Sequence, residues 1–172
     1  MIIDVDKVPK GGMTVSRDFE FQSEDLVEES ATFIKPVHAE LFIRRMTEEI
    51  WIKGRVTTRL NITCGRCLGP FEFAVDSRFD VVFLPQEYLE QKESLEDEDV
   101  DQLFYRDHQI DLREVVLEQL NLTFPFKPLC AESCEGICAV CGRVRRDGDC
   151  GCAIHETDGR LGALKSIMKD KR

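Results

Sequence analysis

The chain has 172 residues, of which 42% are hydrophobic and 33% are charged, and its formal net charge is −10. That length suits one domain, or one domain with a small appendage, and the hydrophobic content excludes a chain that is disordered throughout. An acidic protein also lacks the dense Lys and Arg of a general nucleic-acid binder, and no stretch approaches the 18 uncharged apolar residues of a membrane-spanning helix.

The start of the chain carries no recognisable targeting signal. Residues 1–6, Met-Ile-Ile-Asp-Val-Asp, lack the basic region and the long apolar run of a signal peptide. We therefore expect the protein to stay in the reducing cytoplasm. In that compartment its eight cysteines are more typical of metal ligands than of disulfides.

Short elements are predicted before the middle of the chain. Pro9 and Gly11 interrupt the first 21 residues, which predicts one or two edge strands, and residues 23–26 have the composition of one helical turn. Apolar residues recur at every second position from 32 to 45, which predicts a strand with Pro36 at its start or on a sheet edge. Residues 46–49 form the predicted turn into the next strand.

The dominant predicted feature is a long hairpin between Ile50 and Leu84. Period-two alternation of this length indicates half-buried strands, because successive side chains point to opposite faces of a sheet. Between the two runs, residues 64–70 read Cys-Gly-Arg-Cys-Leu-Gly-Pro, a turn sequence whose two thiols are spaced to bind one metal ion. The predicted core-facing residues are Ile50, Ile52, Val56, Thr58, Leu60 and Ile62 in the first strand and Phe71, Phe73, Val75, Phe79, Val81 and Phe83 in the second.

An acidic stretch follows the hairpin. Between Glu87 and Asp101 eight residues are acidic and one is lysine. No apolar periodicity accompanies this charge, so the sequence predicts a mobile surface loop over residues 86–101. A docking segment for a basic partner is the alternative. Residues 103–105 then predict a short strand.

Two helices are predicted after this strand. Asp111 begins the first helix, with Glu114 at capping-box spacing, and Pro125 and Pro128 follow its end. Residues 160–171 predict a second, short amphipathic helix. The apolar stripe of the first helix is predicted to pack on the sheet and comprises Leu112, Val115, Val116, Leu120 and Leu122.

Together these elements predict an α+β fold: an antiparallel sheet of long hairpins or a meander, one or two packed helices, and a C-terminal tail like a zinc knuckle or ribbon. Residues 1–125 form the predicted body, and residues 126–172 form the cysteine-rich tail. The balance of charge changes at about the same place. Residues 127–172 contain nine Lys or Arg and seven Asp or Glu, whereas the other 126 residues contain 14 Lys or Arg and 26 Asp or Glu.

The cysteines have spacings typical of zinc ligands. In the tail, Cys138 and Cys141 form a knuckle with a following glycine, and Cys150 and Cys152 offer a second pair after eight intervening residues. Two such pairs can close a tetrahedral, structural Zn²⁺ site. One or two zinc ions are therefore predicted, because a second site could staple the hairpin tip to the start of the tail. Its four cysteines are Cys64, Cys67, Cys130 and Cys134.

Other interpretations of the cysteines are open at this point. Four thiolates can also hold an iron–sulfur cluster. Cys64 and Cys67 could form a redox dithiol with Arg66 lowering a thiol pKa, although the usual βαβ context is absent. His155, three residues after Cys152, could replace a thiolate ligand. The sequence shows no Ser-His-Asp set or histidine cluster for catalytic zinc, and a closed thiolate site leaves no position for water, so no enzyme is predicted.

Several motifs occur in a characteristic order. The first cysteine pair is followed by Leu-Gly-Pro-Phe-Glu, then come the acidic loop, Ile110-Asp111-Leu112, the second cysteine cluster and Asp158-x-Arg160-Leu161. From about residue 30 to its end, the chain resembles the YceD family, the large-ribosomal-subunit RNA accumulation proteins of bacteria and plastids.

The resemblance implies a cytoplasmic, non-enzymatic, metal-binding factor that supports accumulation of large-subunit ribosomal RNA (rRNA). It also implies nucleic-acid binding and a link with the small basic ribosomal protein L32. We expect contact with rRNA phosphates through arginines beside the clusters, or contact with a basic ribosomal protein, for which the acidic loop would make the chain an adaptor or chaperone. A thiol oxidoreductase is the third alternative. The four candidate arginines are Arg66, Arg143, Arg145 and Arg146.

Overall fold

The computed structural model of the chain describes residues 1–90, 103–145, 148 and 150–152. In these ranges the strands form one six-stranded and one two-stranded sheet. None of the described helices combines the length and hydrophobicity that a membrane-spanning helix requires. The elements are β1 (Ile2–Asp4), β2 (Met13–Phe19), β3 (Thr32–Phe33), β4 (Val37–Met46), β5 (Glu49–Thr63), β6 (Pro70–Pro85), α1 (Glu87–Glu90), β7 (Leu103–Tyr105), β8 (Gln109–Asp111) and α2 (Leu112–Asn121), with 3₁₀ turns at Val5–Lys7 and Ser23–Asp25.

The long hairpin is confirmed. Strands β5 and β6 pair antiparallel from Ile50 opposite Phe83 to Thr63 opposite Pro70. The predicted alternation also holds, because the core-facing residues of β5 are all buried and those of β6 are buried or half-buried against the core. Thr58 is the polar member of this face, and its hydroxyl donates a hydrogen bond of 2.8 Å to the Lys35 carbonyl, so no unpaired polar atom enters the core.

The main sheet is mixed, whereas the sequence analysis predicted a purely antiparallel one. Its order is β2-β4-β5-β6-β7, with β3 pairing on β5, and β7 runs parallel to β6 with Leu103 opposite Phe83. A parallel neighbour needs a connection that returns to the same end of the sheet, and the chain after β6 supplies it. That connection begins with α1 rather than with the predicted loop, and residues 91–101 of the predicted loop lie outside the described residues.

The single strand predicted from residue 32 to 45 is two strands. The backbone N–H groups of Ile34 and Lys35 both donate to the Arg59 carbonyl, and Pro36 next to them has no N–H to continue a ladder. Both pieces lie along β5: β3 pairs with residues 60–61 and β4 with residues 49–57. Pro36 therefore marks the start of β4, as its position in the sequence indicated.

Helix α2 packs against β1, β5 and β6 on the core side of the sheet. The Asp111 carboxylate caps it by accepting a hydrogen bond of 2.9 Å from the Arg113 N–H; no capping box with Glu114 is formed. Four of the five predicted core residues of the helix are buried. Leu122 is not: the helix ends at Asn121, and this leucine is 73% exposed. The predicted helix over residues 160–171 lies outside the described residues, and the domain boundary at residue 125 stays a prediction.

Gly54 is predicted to be intolerant of alanine. It lies in β5 opposite Phe79, and an added Cβ would overlap the Phe79 ring and approach Leu41 Cδ2 to 2.7 Å. We expect Gly54→Ala to lower the free energy of unfolding by about 1–3 kcal/mol, because both neighbours must move. Urea unfolding measures the change. Gly11→Ala, where an added Cβ meets nothing within 4 Å, is the control, and equal midpoints for the two variants would contradict the packing.

Candidate metal centres

Four cysteine sulfurs meet where the hairpin tip contacts the tail. Cys64 and Cys67 come from the turn between β5 and β6, and Cys130 and Cys134 come from the segment after α2; we call these four the tip cluster. Their sulfur atoms all lie within 4.8 Å of one another, and the Cys64–Cys134 and Cys67–Cys130 distances are both 3.8 Å. Tetrahedral zinc with Zn–S bonds of about 2.3 Å places its sulfurs about 3.8 Å apart, so the spacing suits one ion.

The turn that carries the first two sulfurs is shaped by its backbone. The Cys64 N–H donates to the Gly69 carbonyl at 3.0 Å, and the Leu68 N–H donates to the Cys64 carbonyl at 2.9 Å. Leu68 has φ of 58°, a left-handed conformation in which a leucine is uncommon. The backbone N–H groups of Arg66 and Cys130 approach the Cys64 sulfur at 3.5 and 3.4 Å, so the hairpin and the tail both direct donors at one sulfur.

Hydrogen bonds to backbone carbonyls also hold the tail on the tip beside the four sulfurs. The Gly65 N–H donates to the Pro128 carbonyl at 2.8 Å. The Arg66 guanidinium donates to the carbonyl oxygens of Glu132 and Cys134 at 3.1 and 3.0 Å. Arg66 is thus in contact with the tail, and its predicted contact with RNA or a partner stays a prediction. A lone arginine in a turn gives no sequence signal for such a role.

The remaining four cysteines form a second group within the tail. The sulfurs of this tail cluster, Cys138, Cys141, Cys150 and Cys152, also lie within 4.8 Å of one another. The Gly142 N–H donates to the Cys138 carbonyl at 2.9 Å, the same contact that Leu68 makes in the first turn. All eight cysteines are free thiols. The grouping in space is the one that the spacing predicted; that these residues bind metal stays a prediction.

Comparison with known proteins identifies the family. A profile of the family described as "Large ribosomal RNA subunit accumulation protein YceD" matches residues 52–168, which is more than half of the chain and contains both clusters. The chain belongs to the YceD family. The resemblance seen in the sequence motifs is thereby confirmed.

Curated relatives of this YceD-family protein match it over part of their length. An uncharacterized protein of Mycobacterium leprae is 28% identical over 107 residues, which cover 62% of this chain and 48% of that protein. The Arabidopsis thaliana protein named "Large ribosomal RNA subunit accumulation protein YCED homolog 1, chloroplastic" is 25% identical over 162 residues, which cover 79% of this chain and 50% of that protein. The chain spans about half the length of these relatives. No solved structure matches it significantly.

Within each cluster the neighbouring groups shift the pKa values of different cysteines in opposite directions. Burial raises the pKa of Cys64, but hydrogen bonds from nearby backbone N–H groups outweigh it and lower that pKa to about 6. The backbone N–H of Cys141 is the main cause that lowers the pKa of Cys138 to about 6. The pKa values of Cys130 and Cys152 rise to about 12, because each thiol shares a hydrogen bond with a neighbouring sulfur. A divalent cation would displace these protons and compensate four adjacent thiolates.

Each donor set could hold one metal ion. Each set consists of four cysteine thiols and contains no ligand of another type. This is the composition of closed structural zinc sites. Tetrahedral sites of four sulfurs hold zinc or iron in proteins. Bound there, a zinc ion would crosslink the hairpin tip to the tail in the first case and fold the tail knuckle in the second.

The other candidate residues are exposed or lie outside the described ranges. Arg143 and Arg145 are exposed, and no ion pair involving them occurs among the described residues. Arg146 and His155 lie outside those residues. The two described histidines are surface groups: His38 contacts Asp18 at 2.6 Å and His108 contacts Asp6 at 3.3 Å.

Gly136→Ala should undock the tail, whereas Gly142→Ala should leave it docked. Both glycines have positive φ, 76° and 72°, so both variants bear a conformational cost of about 1–2 kcal/mol. Only at Gly136 would the new Cβ meet backbone, at 2.9 Å from the Arg66 carbonyl oxygen. Hydrogen exchange at the Gly65 amide, which bonds Pro128, reports docking. Similar exchange rates in the two variants would contradict the close approach.

Proposed function

We propose that this YceD-family protein is a zinc-stabilised, non-enzymatic ribosome-biogenesis factor that supports accumulation of large-subunit rRNA. The observation that carries the proposal is the family match over residues 52–168, since the relative from Arabidopsis is named for this role. Eight free thiols suit a reducing cytoplasm, where a metal rather than disulfides would order the tail.

The donor chemistry supports a structural role for the metal. Four thiolates close the coordination of a zinc ion and leave no position for a substrate or an activated water. The tip cluster joins two segments more than 60 residues apart in the chain, as the Cys64–Cys134 and Cys67–Cys130 contacts show. An ion at that point would act as a crosslink that holds a binding surface in place.

Depletion in the organism that carries the gene tests this function. We expect the ratio of large-subunit to small-subunit rRNA to fall on depletion and to recover with the wild-type protein. The double variant Cys64→Ser/Cys138→Ser, which removes one ligand from each cluster, should fail to restore it, while Gly11→Ala should succeed. An unchanged rRNA ratio on depletion would overturn the proposed function.

Contact with rRNA is proposed for the exposed arginines of the tail knuckle. Arg143 and Arg145 flank Val144, which bridges to Ile137 beside the tail cluster. We expect Arg143→Gln/Arg145→Gln to weaken binding of a large-subunit rRNA fragment and to reduce the salt slope of log K by up to about 2.

Filter binding across a salt series measures this effect. The double variant Lys10→Gln/Arg44→Gln removes two exposed cations far from the tail in sequence and is the matched control. Equal losses in both double variants, or wild-type affinity that ignores salt, would remove the phosphate contact from the proposal.

A further inference from the structure

An open groove lies between α2, β8 and the edge strand β7. Its volume is about 510 Å³. Four buried side chains, Phe83, Tyr105, Ile110 and Val115, contribute to its lining. Leu103 and Phe104 of β7 line it while only partly buried. The groove therefore combines an accessible apolar surface with polar and charged side chains.

A second, shallower apolar cavity of about 370 Å³ adjoins the same helix. Val27, Leu117 and Leu122 line it, and the first and last of these are 70% and 73% exposed. Glu114 and Glu118 line both cavities, so the two apolar surfaces meet at these carboxylates. We call the combined surface the α2 groove.

The groove carries more acidic than basic side chains. Asp111, Glu114 and Glu118 line it against one cation, Arg106, whose guanidinium donates to the Gln86 side chain. Glu114 and Glu118 are exposed and one helical turn apart, an arrangement of like charges that disfavours the helix by itself. Neither takes part in an ion pair between described residues. Outside residues 127–172 the chain has 26 acidic against 14 basic residues, so its wider field also attracts cations.

We propose that the α2 groove binds a cationic, amphipathic segment of a protein partner. Apolar side chains of that segment would cover Leu103, Phe104 and Leu122, and its Lys or Arg would pair with Glu114 and Glu118. The partner class rests on the proposed function, because a protein assembled onto rRNA carries Lys and Arg for the phosphates. RNA does not suit this surface, since its phosphates would face the two carboxylates.

The probe is a short fluorescent peptide in which Leu recurs at helical spacing and Lys fills the other positions. Fluorescence anisotropy should show saturable binding that weakens as salt rises. Glu114→Gln/Glu118→Gln should weaken it by about tenfold, while the helix is kept because a repulsion is removed. Leu122→Ser, at an exposed position, tests the apolar half and should also weaken binding.

Glu40→Gln/Glu72→Gln is the matched control, because it removes two exposed carboxylates from other strands of the chain. It should change affinity by less than about twofold. Equal weakening in both double variants would show diffuse attraction and overturn the proposal. Protection of the α2 amides from hydrogen exchange by a single-stranded RNA would also overturn the proposal. If either of these two results occurs while depletion still lowers large-subunit rRNA, the assignment of the groove fails and the proposed function stands.

Discussion

Replacing Cys64 with Ser should remove one bound metal ion per chain and release the tail from the hairpin tip. Cys64 is fully buried, and its sulfur lies 3.8 Å from that of Cys134 and accepts from two backbone N–H groups. Structural zinc sites contribute about 10–16 kcal/mol of apparent binding free energy, so losing one ligand is among the largest single effects expected here. Elemental analysis and hydrogen exchange at the Gly65 amide measure the two consequences.

Cys138→Ser is the matched control for that variant. It should also remove one ion, but from the tail cluster, and the Gly65 amide should stay protected because the tip cluster is intact. The double variant should then hold no metal. If either single variant loses both ions, the eight cysteines form one interdependent site rather than two.

Leu60→Ala should destabilise the body without affecting the metal. Leu60 is fully buried in β5, opposite Phe73 of β6 and Phe33 of β3. Truncating it leaves a cavity between three strands, and we expect the free energy of unfolding to fall by about 2–5 kcal/mol. Denaturant unfolding measures this change at constant metal content.

The control for Leu60→Ala is Thr57→Ala, on the opposite face of the same strand. It should change the unfolding free energy by less than about 0.5 kcal/mol. Comparable losses in both variants would contradict the assignment of even positions of β5 to the core and odd positions to the outer face.

The hairpin could be predicted because both strands repeat their pattern over many residues. Each core-facing position from Ile50 to Ile62 contributes to the same period, so one exception such as Thr58 does not obscure it. The tail cluster was predictable because its two pairs of thiols lie close together in the sequence. The tip cluster joins segments more than 60 residues apart, and it was predicted only because four cysteines remained once the tail cluster was assigned.

The features that were missed depend on contacts between distant segments. Three residues of β7 carry no information on strand direction, so its parallel pairing with β6 could not be read from the sequence. Strand β1 pairs with β8 more than 100 residues later. Leu122 continues the apolar stripe in sequence but lies beyond the last helical residue, where the stripe no longer faces the core. Arg66 likewise gains its role only once the tail carbonyls reach the tip.

The turn at residues 64–67 and the turn at residues 138–141 differ in the residue that follows the second cysteine, which is Leu68 in the first turn and Gly142 in the second. Leu68 and Gly142 make equivalent backbone hydrogen bonds, and both have positive φ, but only the second turn uses glycine there. Leu68 is 63% exposed, so its side chain does not offset the conformational cost by burial. Leu68→Gly should therefore raise the free energy of unfolding by about 1 kcal/mol, as measured by chemical denaturation with Gly69→Ala as a local control. No gain in stability would indicate that the side chain stabilises the turn.

We propose that two metal ions, each held by four cysteine thiolates, order the tail and fix it to the hairpin tip. Metal content of the purified protein, measured per chain before and after dialysis against a chelator, tests this most directly. We expect two zinc ions per chain at the start, and loss of protection of the Gly65 amide once they are removed. A metal-free protein whose tail stays docked and indifferent to chelator would contradict it.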